Sequence, residues 1–323
     1  MNLVTPQFLN LIHEDLERTE RLLREHSPDE HQAIAFAVDY LLGSGGKRLR
    51  PALVFLSARL CGADLERATF AAAGVEMLHT ATLVHDDLID GSLMRRGVET
   101  LNARWSPAAT VLTGDYLFAR AAYLVAQTES VRLVQRFAET LMVICNGEIH
   151  QMFSGRGTVP TFQEYERRIY AKTASLIALS AEAGAILAHA DEESIAALRT
   201  YGEQLGLAFQ IVDDVLDFIA DERVLGKPVG SDLRQGLVTL PVLLFLEENG
   251  DHSALRRILS QGPTDDGVRE AVQAIAASPA VDRSLQVART YVQRARQALD
   301  RFPASDYRAA LLDLADFVVQ RRF

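Results

Sequence analysis

The chain is poor in cysteine and in long uncharged apolar runs. Of its 323 residues only Cys61 and Cys145 are cysteines, too few for a disulfide framework, so a reducing cytoplasm is the expected compartment. The longest weakly polar run, 174–190, contains Glu182 and is shorter than the about 20 apolar residues of a membrane-spanning helix. We interpret it as a buried core helix. The N-terminus lacks the basic segment and apolar core of a signal peptide.

The chain also lacks a basic excess. Lysine and arginine together number 33 against 43 aspartates and glutamates, which gives a formal net charge of −10. This argues against nucleic acid as a partner, because a phosphate backbone needs a basic footprint. Local basic clusters can still bind a small phosphorylated ligand. The 48% hydrophobic and 24% charged residues are typical of a soluble globular protein.

Alternating strand patterns are scarce, whereas apolar residues recur every three or four positions along most of the chain. The pattern predicts helices over 51–60, 68–87, 108–127, 131–152, 162–190, 194–218 and 240–246. Further helices are expected after Asn249, with loops near Pro263 and Pro279. No repeat or linker divides the sequence. A single all-α domain over 1–323 is the simplest prediction.

Two aspartate clusters of the form D-D-x-x-D stand out. Their members are Asp86, Asp87 and Asp90, and Asp213, Asp214 and Asp217. At 3.6 residues per turn, three such side chains fall within an arc of about 100° on one helix face. Mutually repelling carboxylates at this spacing are stabilised by a cation. Mg²⁺ suits them, because it takes few carboxylates and completes its coordination with water and substrate phosphates.

A single D-D-x-x-D motif is often only a solvated helix end. Two copies, each following an apolar helical run, are much harder to explain in that way. Facing one another across a helix bundle, they are expected to form a clamp for magnesium and a diphosphate.

Basic residues accompany both clusters. The segment 45–51, Gly-Gly-Lys-Arg-Leu-Arg-Pro, is a glycine loop that leads into a helix, which predicts an anion site. Arg95 and Arg96 follow the first cluster, Lys227 follows the second, and Lys172 interrupts an apolar stretch. Each has a simpler reading. The loop is then a plain helix start, the arginines lie in a solvated loop, and Lys172 is a surface lysine with a buried stem.

Together these motifs resemble those of the trans-prenyltransferases, the all-trans polyprenyl diphosphate synthases. The matching segments, in the family's order, are 45–51, 85–90 with 95–97, Gly114-Asp115, Gly147-Glu148, Lys172-Thr173, 209–217, 226–228 and 239–241. The resemblance implies an all-α, single-domain bundle of long helices around a deep central cavity, of the isoprenoid synthase type and usually a homodimer. It also implies Mg²⁺-dependent elongation of an allylic diphosphate with isopentenyl diphosphate.

The resemblance also implies roles for individual residues. Four are implied to hold the diphosphate of isopentenyl diphosphate: Lys47, Arg50, His79 and Arg96. Three are implied to bind the allylic diphosphate: Arg95, Lys172 and Lys227. The chief magnesium ligands are implied to be Asp86, Asp90 and Asp213, supported directly or through water by Asp87, Asp214 and Asp217. Thr173 and Gln210 are implied to lie beside the reacting carbons. Taken alone, His79 reads as a core histidine, but its spacing places it near the Asp86 face.

One position departs from the family pattern. Many relatives carry lysine where this chain has Leu237, before Thr239-Leu240-Pro241. One diphosphate contact is therefore missing or supplied by Arg234 or Arg321-Arg322.

Product length is expected to depend on the residues just before Asp86. Ala81 and Thr82 are small, whereas relatives that make short products tend to have bulky aromatics at these two positions. The expected product is therefore longer than farnesyl diphosphate, of about thirty to fifty carbons, with geranylgeranyl diphosphate as the alternative. Membrane contact is expected at most transiently, for product release.

Two other functions remain open. A class I terpene cyclase usually replaces the second aspartate cluster and lacks the 45–51 segment. A non-catalytic subunit of a heteromeric prenyl synthase typically loses an aspartate cluster. This chain keeps both clusters and the segment, which favours elongation.

Overall fold

The computed structural model describes residues 7–43, 48–95, 97–153, 159–219, 229–250 and 252–320. Most of these residues lie in helices, which confirms the prediction of an all-α fold. The α-helices are α1 (His13–Leu23), α2 (Gln32–Gly43), α3 (Leu49–Cys61), α4 (Leu65–Ile89), α5 (Leu101–Arg104), α6 (Pro107–Ala126), α7 (Val131–Phe153), α8 (Phe162–Ile169), α9 (Ser175–Leu187), α10 (Glu192–Ile219), α11 (Ser231–Arg234), α12 (Leu240–Asn249), α13 (Ser253–Gln261), α14 (Asp265–Ala276), α15 (Ala280–Ala298) and α16 (Asp306–Gln320).

Three shorter elements complete the described chain. A 3₁₀ helix, Gln7–Ile12, precedes α1, and a single π-helical turn, Tyr170–Ala174, separates α8 from α9. The sequence predicted one helix over 162–190, so the π turn is a difference from that prediction. A two-residue antiparallel hairpin, with Met94 opposite Glu99, is the only strand pairing in the described ranges.

Helix starts follow local capping chemistry. Asp64 precedes α4, and its side chain accepts hydrogen bonds from the backbone of Glu66 and Arg67. Thr161 and Glu164 form a reciprocal capping box at α8. Such side chains satisfy the backbone N–H groups that a helix leaves without partners in its first turn.

The described chain divides into two compact units, each assembled from three stretches of sequence. The first comprises Met1–Thr140, Leu176–Thr200 and Leu299–Asp313. In this unit α4 packs mainly against α6 and α3. Gly74 permits this approach, because a Cβ atom there would lie 2.5 Å from Val125 Cγ2.

The second unit comprises Leu141–Ser175, Tyr201–Ala298 and Leu314–Phe323. Within it α12 packs against α15, and α13 packs against α14. The single domain expected over 1–323 stays a prediction. Among the residues with described structure, no helix is both long enough and apolar enough to cross a membrane.

A buried ion pair joins α7 to α9 inside the first unit. The Glu182 carboxylate is 2% exposed and accepts hydrogen bonds from Arg136 Nε at 3.0 Å and Nη2 at 2.8 Å. Burial raises the pKa of Glu182, and the charges of Arg136, Arg199 and Arg132 oppose that rise. The apolar run predicted as a core helix therefore carries a charge that the fold neutralises.

We predict that Arg136→Ala lowers the free energy of unfolding by about 3–5 kcal/mol, because it leaves a buried carboxylate without its cation. The matched control is Arg257→Ala, which breaks an ion pair with Glu270 whose side chains are 52% and 50% exposed. This control is expected to cost about 0.5 kcal/mol or less. Urea denaturation of the three proteins measures both differences, and equal losses in the two variants contradict the prediction.

Candidate active site

The last turns of α4 present one accessible face. His79, Thr82 and Asp86 follow one another at three- and four-residue spacing, and each is half-buried. Ala81 is 0% exposed, so no water-sized gap lies beside its methyl group. Thr82, rather than Ala81, therefore shares the accessible face with Asp86. The predicted control of product length therefore depends more on Thr82 than on Ala81.

The three aspartates of the first cluster lie in different environments. Asp86 is half-buried in the last turn of α4, and Asp90 is exposed at its C-cap. Asp87 is buried and accepts a hydrogen bond from Arg95 Nε at 2.8 Å. Burial raises the pKa of Asp87, while the Arg95 charge opposes the rise. The hairpin thus brings Arg95, a predicted diphosphate ligand, beside the cluster, with one of its donors engaged by Asp87.

A glycine in α6 makes room for the histidine that precedes the cluster. A Cβ atom on Gly114 would lie 2.2 Å from His85 Nε2. That nitrogen is 3.2 Å from the Val111 carbonyl and 3.6 Å from Asp115 Oδ1. The His85 ring therefore packs against Gly114, with Asp115 nearby. This packing explains the Gly114-Asp115 motif, to which the sequence alone assigns no role.

The second cluster, on α10, divides in the same way. Asp213 is half-buried, whereas Asp217 is 1% exposed. The Asp217 carboxylate accepts hydrogen bonds from Ser231 Oγ at 2.8 Å and from the backbone N–H of Asp232 at 3.1 Å. The Asp217 carbonyl also accepts from the Gly230 N–H at 2.8 Å. Asp217 thus fixes the segment that begins α11.

Asp214 is enclosed completely. Its carboxylate is 3% exposed and accepts from Tyr165 Oη at 2.7 Å and from Gln210 Nε2 at 2.8 Å. Burial, with the charge of Asp232, raises the pKa of Asp214, and the two hydrogen bonds oppose the rise. Burial also raises the pKa of Tyr165, with a further contribution from the Asp214 charge.

The predicted residues Lys172 and Thr173 lie in the π turn. Lys172 is exposed, and its Nζ donates to Glu148 Oε1 at 2.8 Å. Gly147 allows α7 to approach this turn, since a Cβ atom there would be 2.4 Å from Ala171 Cβ. Thr173 is buried and its Oγ1 is 2.7 Å from Gln210 Oε1. The structure therefore brings Thr173 and Gln210 together, as their shared predicted role requires. Single π turns inside helices often occur at functional sites.

The predicted basic site is described only in part. Arg50, in the first turn of α3, and His79 are half-buried. Arg48 has a left-handed backbone with φ 47° and donates to Glu20 and Glu76, both at 2.8 Å. Arg48 therefore anchors the start of α3 to α1 and α4. Three further predicted ligands lie outside the described residues: Lys47, Arg96 and Lys227.

The surroundings of Leu237 show which residues lie near the position where many relatives have lysine. Leu237 is half-buried, and its N–H donates to the Asp232 carbonyl at 2.8 Å. Arg234, one of the suggested substitutes, forms an ion pair with Asp265. The other suggested substitutes, Arg321 and Arg322, lie outside the described residues.

The donor set fits a hard divalent cation. No three His, Cys, Asp or Glu side chains within the described ranges form a preformed metal cluster. Carboxylate oxygens on an accessible helix face, as at Asp86 and Asp90, are the donors Mg²⁺ takes when substrate phosphates supply other ligands. Asp213 offers a comparable half-buried carboxylate on α10.

Sequence patterns do not indicate that Tyr165 and Glu148 hold residues of the site. Tyr165 lies outside every motif, and no spacing rule connects it with Asp214, 49 residues later. The sequence alone assigns no role to the Gly147-Glu148 motif, and the pairing of Glu148 with Lys172 supplies one. Both contacts depend on which helix faces meet, and one sequence alone does not carry that information.

Comparison with known proteins agrees with the helices and motifs. Residues 31–275 match the model of the polyprenyl synthetase family. The chain is 39% identical over 316 residues to a heptaprenyl diphosphate synthase component 2 from Geobacillus stearothermophilus, covering 97% of this chain and 98% of that one. It is also 39% identical over 286 residues to an octaprenyl diphosphate synthase from Haemophilus influenzae, covering 88% of this chain and 87% of that one.

A solved structure shows the same fold. It is a polyprenyl synthase from Caulobacter crescentus, complexed with calcium and isoprenyl diphosphate, and the TM-score is 0.93 at 40% identity. The match covers 99% of this chain and 98% of that one. The family model, these relatives and the shared fold all agree with the resemblance drawn from the motifs. The chain belongs to the polyprenyl synthetase family.

Proposed function

We propose that the chain elongates an allylic prenyl diphosphate by head-to-tail condensation with isopentenyl diphosphate. The products are an all-trans polyprenyl diphosphate and pyrophosphate. The observation that carries this proposal is that both D-D-x-x-D motifs are intact and each keeps an accessible first carboxylate, Asp86 and Asp213. A terpene cyclase or a non-catalytic subunit is disfavoured by the same two intact motifs.

The residue types suit the chemistry. The allylic C–O bond breaks, pyrophosphate leaves with the electron pair, and a carbocation remains. The alkene of isopentenyl diphosphate attacks this cation, and the adduct loses a proton, for which the departing pyrophosphate is the proposed base. Cationic side chains such as Arg95 and Lys172 disperse the charge that grows on the leaving group. Neither Cys61 nor Cys145 has a part, since no covalent enzyme intermediate is needed.

Magnesium is the proposed metal, and Asp86, Asp90 and Asp213 are its proposed ligands. When bound, it would neutralise charge on the leaving diphosphate. Support comes from the carboxylate donors and from the calcium-bound relative. A homodimer and a cytoplasmic location also belong to the proposal. Because one relative is named as component 2 of a synthase, an activity assay of the purified chain alone, with both substrates and Mg²⁺, tests whether a partner subunit is required.

The aspartates provide the most direct test. We predict that Asp86→Asn or Asp213→Asn lowers kcat at least about a hundredfold, because stabilising charge on a leaving group contributes several kcal/mol. Turnover is measured at saturating Mg²⁺ with both substrates. Asp266→Asn is the control, because Asp266 is an exposed carboxylate outside all of the matching family segments, and it should keep near-normal turnover. Near-normal turnover in either motif variant would rule out the metal-binding proposal.

Product length is predicted to exceed fifteen carbons, at about thirty to fifty, because the residue one turn before Asp86 on the accessible face of α4 is the small Thr82 and not a bulky aromatic. Thr82→Phe should shorten the product, since a ring projects into the path of the growing chain one turn from Asp86. Ala81→Phe should shorten it too, but it should also destabilise the fold by about 1–3 kcal/mol, because the site is fully packed.

Chromatography of products made with excess isopentenyl diphosphate, together with melting temperatures, measures these effects. A wild-type product of fifteen carbons would contradict the chain-length prediction. So would an unchanged length distribution in Thr82→Phe. A product of twenty carbons would select the geranylgeranyl alternative.

Leu237 offers a gain-of-contact test. We predict that Leu237→Lys stays active and lowers the apparent KM for the allylic diphosphate, because a cation there adds a charge-assisted contact. Steady-state kinetics at fixed isopentenyl diphosphate measures this change. Leu237→Met, which keeps an apolar side chain of similar size, is the control. An unchanged or raised KM in Leu237→Lys would show that position 237 does not face the diphosphate.

A further inference from the structure

Tyr165 and Asp214 form a buried pair that the reaction scheme above does not use. Tyr165 is 0% exposed, and its hydroxyl donates to Asp214 Oδ2 at 2.7 Å. Gln210 Nε2 donates to the other oxygen, Oδ1, at 2.8 Å. Both oxygens of Asp214 therefore accept from protein donors.

This pair determines which way the Gln210 amide faces. Tyr165 Oη donates to Asp214 Oδ2 and Gln210 Nε2 donates to Oδ1, so the Gln210 NH₂ group faces Asp214. The amide oxygen is then directed to Thr173, whose Oγ1 donates to it at 2.7 Å. With its proton committed to Gln210, the Thr173 hydroxyl presents only lone pairs to any other neighbour. Lone pairs are the end of that dipole that stabilises a positive charge.

Tyr165 is itself held firmly. The Arg168 guanidinium lies over its ring at 5.5 Å from the centroid, and Nη2 donates to the Val238 carbonyl at 2.6 Å. The π turn places Thr173 on the same side of the helix as Tyr165. One α turn of about 3.6 residues and one π turn, which holds about one residue more, take about eight residues together. Eight is the separation of Tyr165 and Thr173, so both face α10.

We propose that Tyr165 is a positioning residue, which acts through Asp214 to orient Gln210 and Thr173 toward the allylic carbocation. This inference rests on the proposed prenyl elongation. It assigns Asp214 an orienting role in place of the magnesium-supporting role expected from the motif. The cation-stabilising lone pairs of Thr173 then depend on a side chain that touches neither substrate nor metal.

The test is Tyr165→Phe, which removes only the hydroxyl. The expected result is a kcat about tenfold lower, less than the hundredfold that a direct electrostatic contact contributes. KM for both substrates and the Mg²⁺ dependence should stay within twofold, because the diphosphate ligands are intact. The matched control is Tyr291→Phe. Tyr291 is another buried tyrosine, and the substitution removes the hydroxyl that donates a hydrogen bond to Glu166. Its kcat should stay within twofold of wild type.

Two further measurements separate positioning from mere structural support. In a Gln210→Ala background, Tyr165→Phe should have no additional effect on kcat, because the residue through which it acts is gone. Calorimetric titration with an ammonium analogue of the allylic diphosphate and with its neutral isostere measures preference for a positive charge. Wild type should prefer the charged analogue, and Tyr165→Phe should lose that preference, whereas Tyr291→Phe keeps it.

The failures are distinguishable. If the wild-type chain is inactive with both substrates and Mg²⁺, the proposed function is overturned, and so is this inference. An active wild type with a Tyr165→Phe kcat within twofold overturns the inference alone. An equal loss in the Gln210→Ala background, or a retained preference for the ammonium analogue, also overturns it, because the hydroxyl then acts by some other route.

Discussion

A carboxylate that is taken out of water needs hydrogen-bond donors or a cation, because an unpaired buried charge costs far more than a fold can spare. The described chain meets this requirement with a specific partner at each buried site. Asp87 is paired with Arg95, Asp214 with Tyr165 and Gln210, and Glu182 with Arg136. Arg95, Tyr165 and Arg136 each lie on a different element from the carboxylate they pair with, so pairing the charge also fixes where that element packs.

This requirement divides each aspartate motif into two kinds of member. In the first motif Asp86 stays half-buried while Asp87 is paired. In the second motif Asp213 stays half-buried while Asp214 and Asp217 are enclosed by protein donors. The first carboxylate of each motif stays partly accessible to solvent, and the second is buried and held by protein donors. The three aspartates of each motif are therefore not equivalent, although their spacing places them on one helix face.

The sequence alone predicted the all-α fold, the main helices and both aspartate motifs, because helical periodicity and i, i+4 spacing are local properties. It also placed Thr173 and Gln210 together through a family resemblance, and the structure brings them into hydrogen-bonding contact. The π turn was missed, because its five residues continue the helical pattern. Tyr165 and Arg48 were missed as structural anchors, because their partners lie far away in the chain and are selected by packing.

The π turn also accounts for the number of residues between Tyr165 and Thr173. An uninterrupted α-helix over these eight positions would turn Thr173 by about 80° relative to Tyr165, away from Gln210, even though no side chain of the network had been altered. Deleting one residue within Tyr170–Ala174 would give an ordinary helix of seven steps and would bring the two side chains back to within about 20° of one another. The π turn therefore absorbs one extra residue without changing which residues share the face toward α10.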